Sequence, residues 1–206
     1  MVIESQHPLI KDKLTALRDV ASAPPKFRAL VNDLSTLLCY EATHDLVDQD
    51  YSVETPMGTA VGKKIAQKIG LIPILRAGLG MVDSMLTLIP EAQVWHIGMY
   101  RNEETLEPVW YYNKLPDQPT VDICFVMDPM LATGGSAVAT VDLIKKWGVQ
   151  TVKFVGLLAA PEGIKALQDA HPDVDIHIAH IDSHLNDIGY IVPGLGDAGD
   201  RQFSTT

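Results

Sequence analysis

The chain has 206 residues, 47% of them apolar and 20% charged, with a formal net charge of −10. That is enough apolar material for one large core, and the acidic balance without a Lys/Arg run argues against duplex nucleic acid or an anionic membrane surface as the main partner. No apolar run approaches the roughly 18–20 residues of a spanning helix, and the start Met1-Val2-Ile3-Glu4-Ser5-Gln6-His7-Pro8 lacks a basic stretch and an apolar signal core, so a cytoplasmic protein is expected.

In chain order, Pro8 to Val20 predicts a short helix. Residues 24–46 predict a long one, with Phe27, Leu30, Val31, Leu34, Leu37 and Leu38 at helical spacing behind Pro24-Pro25. This pair presents either a core face or a subunit interface. From residue 70 the pattern changes to short apolar runs at Leu71–Leu75, Val94–Met99, Val121–Met127, Val152–Ala159 and Val174–Ala179. Helices fit between several of them, at Gly80–Leu88, Ser136–Trp147 and Glu162–Ala170. Near-continuous apolar strands need burial on both faces and parallel partners need helical crossovers, so the expectation is an α/β fold with a parallel sheet flanked by helices. One domain over residues 1–206 is expected. The Arg101–Pro119 stretch is polar and aromatic and reads as an arm or lid. Residues 188–206 show no helical pattern, yet Ile188, Tyr190, Ile191, Val192 and Leu195 are apolar enough to dock. Cys39 and Cys124 lie in apolar segments without metal-ligand spacing and read as buried thiols.

Several strings match familiar motifs by accident. Gly194-Leu195-Gly196-Asp197-Ala198-Gly199 satisfies G-x-G-x-x-G, but a dinucleotide fingerprint follows a first strand and opens a crossover helix, and only seven residues remain after Gly199. Gly58-Thr59-Ala60-Val61-Gly62-Lys63-Lys64 is one residue short of a P-loop and has Lys where the Mg²⁺-binding hydroxyl belongs. His177 and His180 are three apart in one strand pattern and face opposite sides of the pleat. No zinc set is visible.

With so acidic a chain, an anionic substrate has to be held by a few placed groups. The run Ile123-Cys124-Phe125-Val126-Met127 stops at Asp128 and passes through Pro129-Met130-Leu131-Ala132 into Thr133-Gly134-Gly135-Ser136, where a helical pattern begins. A glycine-rich turn feeding a helix N-terminus presents backbone N–H groups and positive helix-end potential, which suits a phosphate. A carboxylate beside such a nest suits sugar hydroxyls. A sugar phosphate uses both.

Asp128 to Ser136 resembles the phosphoribosyl diphosphate loop of the type I phosphoribosyltransferases, in the form of the uracil phosphoribosyltransferase family. Most type I relatives have a second acid in this loop, and Pro129 in that place agrees with the uracil branch. Pro73–Met81, Met99–Thr105, Ala159–Gly163 and Gly189–Asp200 also look like that family, so the resemblance covers essentially the whole chain. It implies a core over residues 55–180, a flexible arm, and a hood for the base formed by the N-terminal segment and residues 181–206. The implied reaction joins uracil N1 to the anomeric carbon of 5-phospho-α-D-ribose 1-diphosphate, giving UMP and diphosphate in pyrimidine salvage.

On this resemblance Ala132, Thr133, Gly134, Gly135 and Ser136 take the 5-phosphate and Asp128 the ribose hydroxyls, with Pro129, Met130 and Leu131 completing the loop. Arg76 holds diphosphate oxygens as a charged fork, Arg101 closes over them from the arm, and a non-proline cis peptide is implied around Arg76-Ala77. Uracil lies against Ile191, Gly196, Asp197 and Ala198. Mg²⁺ is bound mainly by substrate oxygens and water, with Asp197 within reach through water. No side chain stands out as general base, which leaves solvent, substrate or Asp197. The family also implies a homodimer or larger assembly, and control by GTP in some members. A phosphoribosyltransferase for another base and a nucleotide-binding regulator on the same fold are the alternatives. Gly134→Val is expected to weaken donor binding while leaving the fold intact.

Overall fold

The computed structural model describes residues 1–101 and 108–205, with Tyr100, Arg101 and Pro108 described by their backbone alone. The order begins with strand β1 (Val2–Glu4), helices α1 (Pro8–Arg18) and α2 (Pro24–Ala42), and a hairpin of β2 (Asp48–Thr55) and β3 (Gly58–Ile65). It continues with β4 (Ile69–Leu75), a 3₁₀ turn at Ala77–Met81, α3 (Val82–Leu88), β5 (Gln93–Val94), β6 (Ile97–Arg101), β7 (Pro108–Asn113) and β8 (Ile123–Met127). After β9 (Met130–Leu131) come α4 (Gly135–Trp147), β10 (Thr151–Ala159), α5 (Pro161–Ala170), β11 (Asp175–Ile181), β12 (His184–Leu185), β13 (Ile191–Val192) and α6 (Ala198–Phe203).

The main sheet runs β1-β11-β10-β8-β4-β6-β7, parallel except where β7 returns antiparallel to β6. Alternate residues of each strand serve two separate cores. Leu71, Phe125, Met127, Val155 and Ala179 pack with α1, α2 and α3, whereas Ile72, Val126, Phe154 and Ile178 pack with α4 and α5. Burial on both faces is why the β8 run Ile123–Met127 is apolar at every position. From β4 the chain proceeds to β6 on one side and then returns to β8 on the other. The carboxyl ends of β4 and β8 therefore flank a topological switch point, where open parallel sheets leave a crevice for ligands.

Departures from the sequence reading have local causes. The long helix stops at Ala42, because Thr43 turns its hydroxyl back onto the Cys39 carbonyl at 2.7 Å. The 94–99 strand breaks at Trp95, which stacks edge-to-face on Trp147 with ring centroids 5.0 Å apart. The 80–88 helix begins as the Ala77–Met81 3₁₀ turn. Within the 101–119 stretch, Pro108–Asn113 forms a strand, while residues 102–107 of the expected arm lie outside the described residues. The tail does contain a helix, α6, capped by the Asp197 side chain accepting from the Asp200 N–H at 2.8 Å. Of the apolar tail residues, Ile191 and Leu195 are buried, but Ile188 and Tyr190 stay exposed.

The β2–β3 hairpin has no counterpart in the expected elements, and all its strand residues are exposed. The P-loop-like string falls in β3, with no helix after it. His177 is buried and His180 exposed, as their spacing predicts, and no metal-holding group of three His, Cys, Asp or Glu occurs among the described residues. Cys39 and Cys124 are free and buried, and burial pushes their thiols up to about 11 and about 12. None of the described helices is long and apolar enough to cross a membrane.

Candidate active site

Asp128 is the first residue past β8, and the chain reaches α4 only after two more residues have paired with β10. The Pro129 carbonyl accepts from the Leu157 and Leu158 N–H groups at 3.0 and 2.9 Å, and the Leu131 carbonyl from the Ala160 N–H at 3.0 Å. These bonds pin the loop to the sheet, so Pro129 and Leu131 are buried on the scaffold side. Gly134 then adopts φ +82° and caps α4 without any side-chain hydrogen bond. Gly134 itself offers no side chain to cap the first-turn amides, and a helix N-terminus opened by a glycine suits an anion. A Cβ at Gly134 would sit 2.8 Å from the Gly163 carbonyl oxygen and 2.9 Å from the Ala166 Cβ. Gly134→Val would thus disturb the α4–α5 packing as well as the loop, which overturns the expectation that this variant leaves the fold intact.

A cavity of about 350 Å³ opens beside this loop, lined by Asp128, Met130 and Ala132 on one side and by Ile191, Gly196, Asp197 and Ala198 on the other. Seven of the residues singled out in the sequence thus share one hollow although about 60 positions separate the two groups. Ala77, Gly189, Tyr190 and Gly199 complete the lining. None of the four was named as a site residue, although Ala77 belongs to the Pro73–Met81 run and the other three to the Gly189–Asp200 run. Thr133, Gly135 and Ser136 stand at the loop's far end outside this lining, with Thr133 Cγ2 3.7 Å from where a Gly189 Cβ would be. A second hollow, lined by residues 64–69 and 88–93, opens at the opposite end of β4, away from the crevice.

Asp128 is half-buried, and its carboxyl is pushed up to about 7. Desolvation is the main cause and the nearby Asp197 carboxylate adds to it, against the Met130 N–H, which donates at 3.4 Å. A carboxyl poised near neutrality in a cleft is the usual mark of a site that binds or reacts.

Arg76 follows β4, and the non-proline cis peptide is Leu75–Arg76, one bond earlier than the resemblance implied. Its guanidinium meets Asp200 at 2.9 Å and Thr205 Oγ at 3.1 Å. The backbone of Arg101 ends β6, but its side chain lies outside the described residues.

The tail is held over the crevice by arginines from the N-terminal helices. Arg18 donates to Asp182, which is 5% exposed, and to the Gly194 carbonyl at 2.8 Å, while Asp182 accepts the Gly194 N–H at 2.9 Å. Arg28 donates to the Gln202 carbonyl at 2.8 Å, and Gln202 reaches the Ala77 carbonyl at 3.1 Å. Arg201 stacks over Phe27 at 4.4 Å and donates to the Leu195 carbonyl.

The family model described as uracil phosphoribosyltransferase matches residues 4–205. The chain belongs to the uracil phosphoribosyltransferase family. Members named uracil phosphoribosyltransferase include one from Roseiflexus castenholzii, 61% identical over 99% of this chain and 98% of its own length. Another from Pediococcus pentosaceus is 55% identical over 97% and 96%. A solved structure of a protein from Aquifex aeolicus superposes with a TM-score of 0.94 at 39% identity, covering 100% of this chain and 99% of that one. A hypoxanthine-guanine phosphoribosyltransferase from Bacillus anthracis shares the fold alone, with a TM-score of 0.53 at 12% identity over 77% of this chain and 80% of that one. The family's fold is thus the α/β sheet described above.

Proposed function

We infer that this chain transfers the phosphoribosyl group of 5-phospho-α-D-ribose 1-diphosphate to uracil N1, releasing UMP and diphosphate. The observation that carries the reading is the single cavity in which Asp128 and Ala132 of the loop face Ile191, Gly196 and Ala198 of the tail. The barrier lies in breaking the bond to diphosphate, with positive charge growing on the ribose and negative charge on the leaving group, so placement and electrostatics dominate. The amides and hydroxyls from Ala132 to Ser136 hold the 5-phosphate, Asp128 orients the ribose hydroxyls, and Arg76 takes the diphosphate oxygens. Arg101 closes from the arm, and Arg101→Ala should lower turnover more than stability. The flat edge of uracil is read by the backbone of residues 196–198, with Ile191 beneath it.

Two carboxylates on one cavity, close enough for Asp197 to raise the Asp128 pKa, fit a hard cation shared with substrate oxygens. Mg²⁺ bound there through Asp197 and water would neutralise charge on the leaving diphosphate. The exposed hairpin supports a homo-oligomer, since a two-stranded ribbon open on both faces has little stability alone. Control by GTP in this chain rests on the family resemblance.

The decisive experiment incubates the chain with donor, Mg²⁺ and a panel of free bases and identifies products by mass. UMP from uracil alone supports the reading. A nucleotide from a purine or orotate instead, or no product with intact donor binding, would refute it.

A further inference from the structure

Arg76 is 54% exposed by side chain yet its guanidinium is already engaged. One nitrogen donates to Asp200 Oδ1 at 2.9 Å, the other to Thr205 Oγ at 3.1 Å, and the Thr205 hydroxyl donates to the same Asp200 oxygen at 2.5 Å. Gly199 is wedged between the groups involved: a Cβ there would lie 3.2 Å from Asp197 Oδ1 and 3.7 Å from Arg76 Nη2. The tail brings this acid to a fixed place, because Gln202 on the same helix bonds the Ala77 carbonyl, one residue past Arg76. Asp200 is kept ionised here, with the Thr205 hydroxyl first and the Arg76 guanidinium second holding its carboxyl below the usual range.

We propose that Asp200 is a displaceable counter-ion for Arg76, a positioning residue that holds the guanidinium at the crevice and yields it to the diphosphate of the donor. The proposal rests on the reading of Arg76 as the diphosphate ligand. An exposed single ion pair is a weak tie, whereas a diphosphate offers several oxygens to the same fork and more charge. Exchange therefore favours the ligand while sparing Arg76 from searching its rotamers in the free enzyme. The cost is competition: as long as Asp200 is charged, the incoming anion meets a neutral pair rather than a bare cation.

Calorimetric titration of the full chain with inorganic diphosphate and Mg²⁺ tests this. Asp200→Asn keeps the side-chain shape and the backbone N–H that Asp197 accepts, and it should bind diphosphate about two- to fivefold tighter, the range an exposed pair of this kind allows. Donor KM should fall in step with kcat unchanged or lower, a split that simple structural damage does not produce. In an Arg76→Ala background the same change should have no effect. Thr205→Ala, which loosens the acid's support, should shift affinity in the same direction by less and serves as the deciding variant if Asp200→Asn does not fold. Unchanged or weaker diphosphate binding by the folded variant would overturn the proposal, as would a gain that persists without Arg76. A wild-type chain that binds no diphosphate and makes no UMP would overturn the assigned reaction as well, whereas normal UMP synthesis without the gain would sink only the role of Asp200.

Discussion

The two walls of the cavity are built in opposite ways. The loop from Asp128 to Ser136 is a local device: one strand, a turn pinned to its neighbour by Pro129 and Leu131, and one helix N-terminus, all within a dozen residues. The tail from Asp182 to Thr205 has only short elements of its own, and its shape comes from Arg18, Arg28 and Phe27 far away in sequence. A local device keeps its geometry as long as the sheet stands. A borrowed one depends on each long-range tie, so base binding should be more fragile than donor binding.

Variants sharpen that contrast. The largest effect is expected at the junction: Arg76→Ala should lower kcat/KM for the donor by about 10²–10³, the usual loss when a group facing developing anionic charge is removed, with little change in melting temperature. Arg18→Ala should instead cost about 3 kcal/mol of stability, because it strands the buried Asp182 carboxylate. Denaturant unfolding measures that loss, and KM for uracil should rise more than KM for the donor. An equal rise in both would contradict the division between the walls. Gly134→Ala should destabilise by about 1–3 kcal/mol, since the left-handed backbone and the Gly163 carbonyl both oppose a methyl group, and should raise donor KM with uracil KM unmoved.

The smallest effect depends on pH. A carboxyl whose folded pKa exceeds its unfolded value binds its proton more tightly when folded, so its contribution to stability falls as pH rises from about 4 through about 7. Asp128→Asn removes that penalty. It should raise the melting temperature by about 3 °C at pH 8, give no gain at pH 4, and slow UMP formation throughout. Differential scanning calorimetry at the two pH values checks the sign, and a gain confined to acid would contradict the desolvated carboxyl.

The loop was legible because its parts are contiguous. An apolar run, an acid, a glycine pair and a helical pattern in succession already describe a strand, a turn and an anion-ready helix end, and the structure keeps each within a residue or two. That the tail docks was legible from its apolar residues, but its place over the crevice was legible only through resemblance. Its six-residue helix had one local signal, an acid three residues after Asp197, and that is too weak to read without the core that receives Gln202. The β2–β3 hairpin was missed for a similar reason: with both faces exposed, neither period of burial marks it.

By itself the sequence determined the alternation of strands and helices, the burial of both sheet faces and the placing of an acid and a glycine turn at one strand's end, because each follows from periodicity and local backbone chemistry over a few residues. Tertiary structure alone decided that β4 and β8 lie side by side at the switch point, that the tail folds back to face Asp128, and that Arg76 rests on Asp200. Those outcomes depend on long-range packing and on burial of charge, which no local pattern encodes.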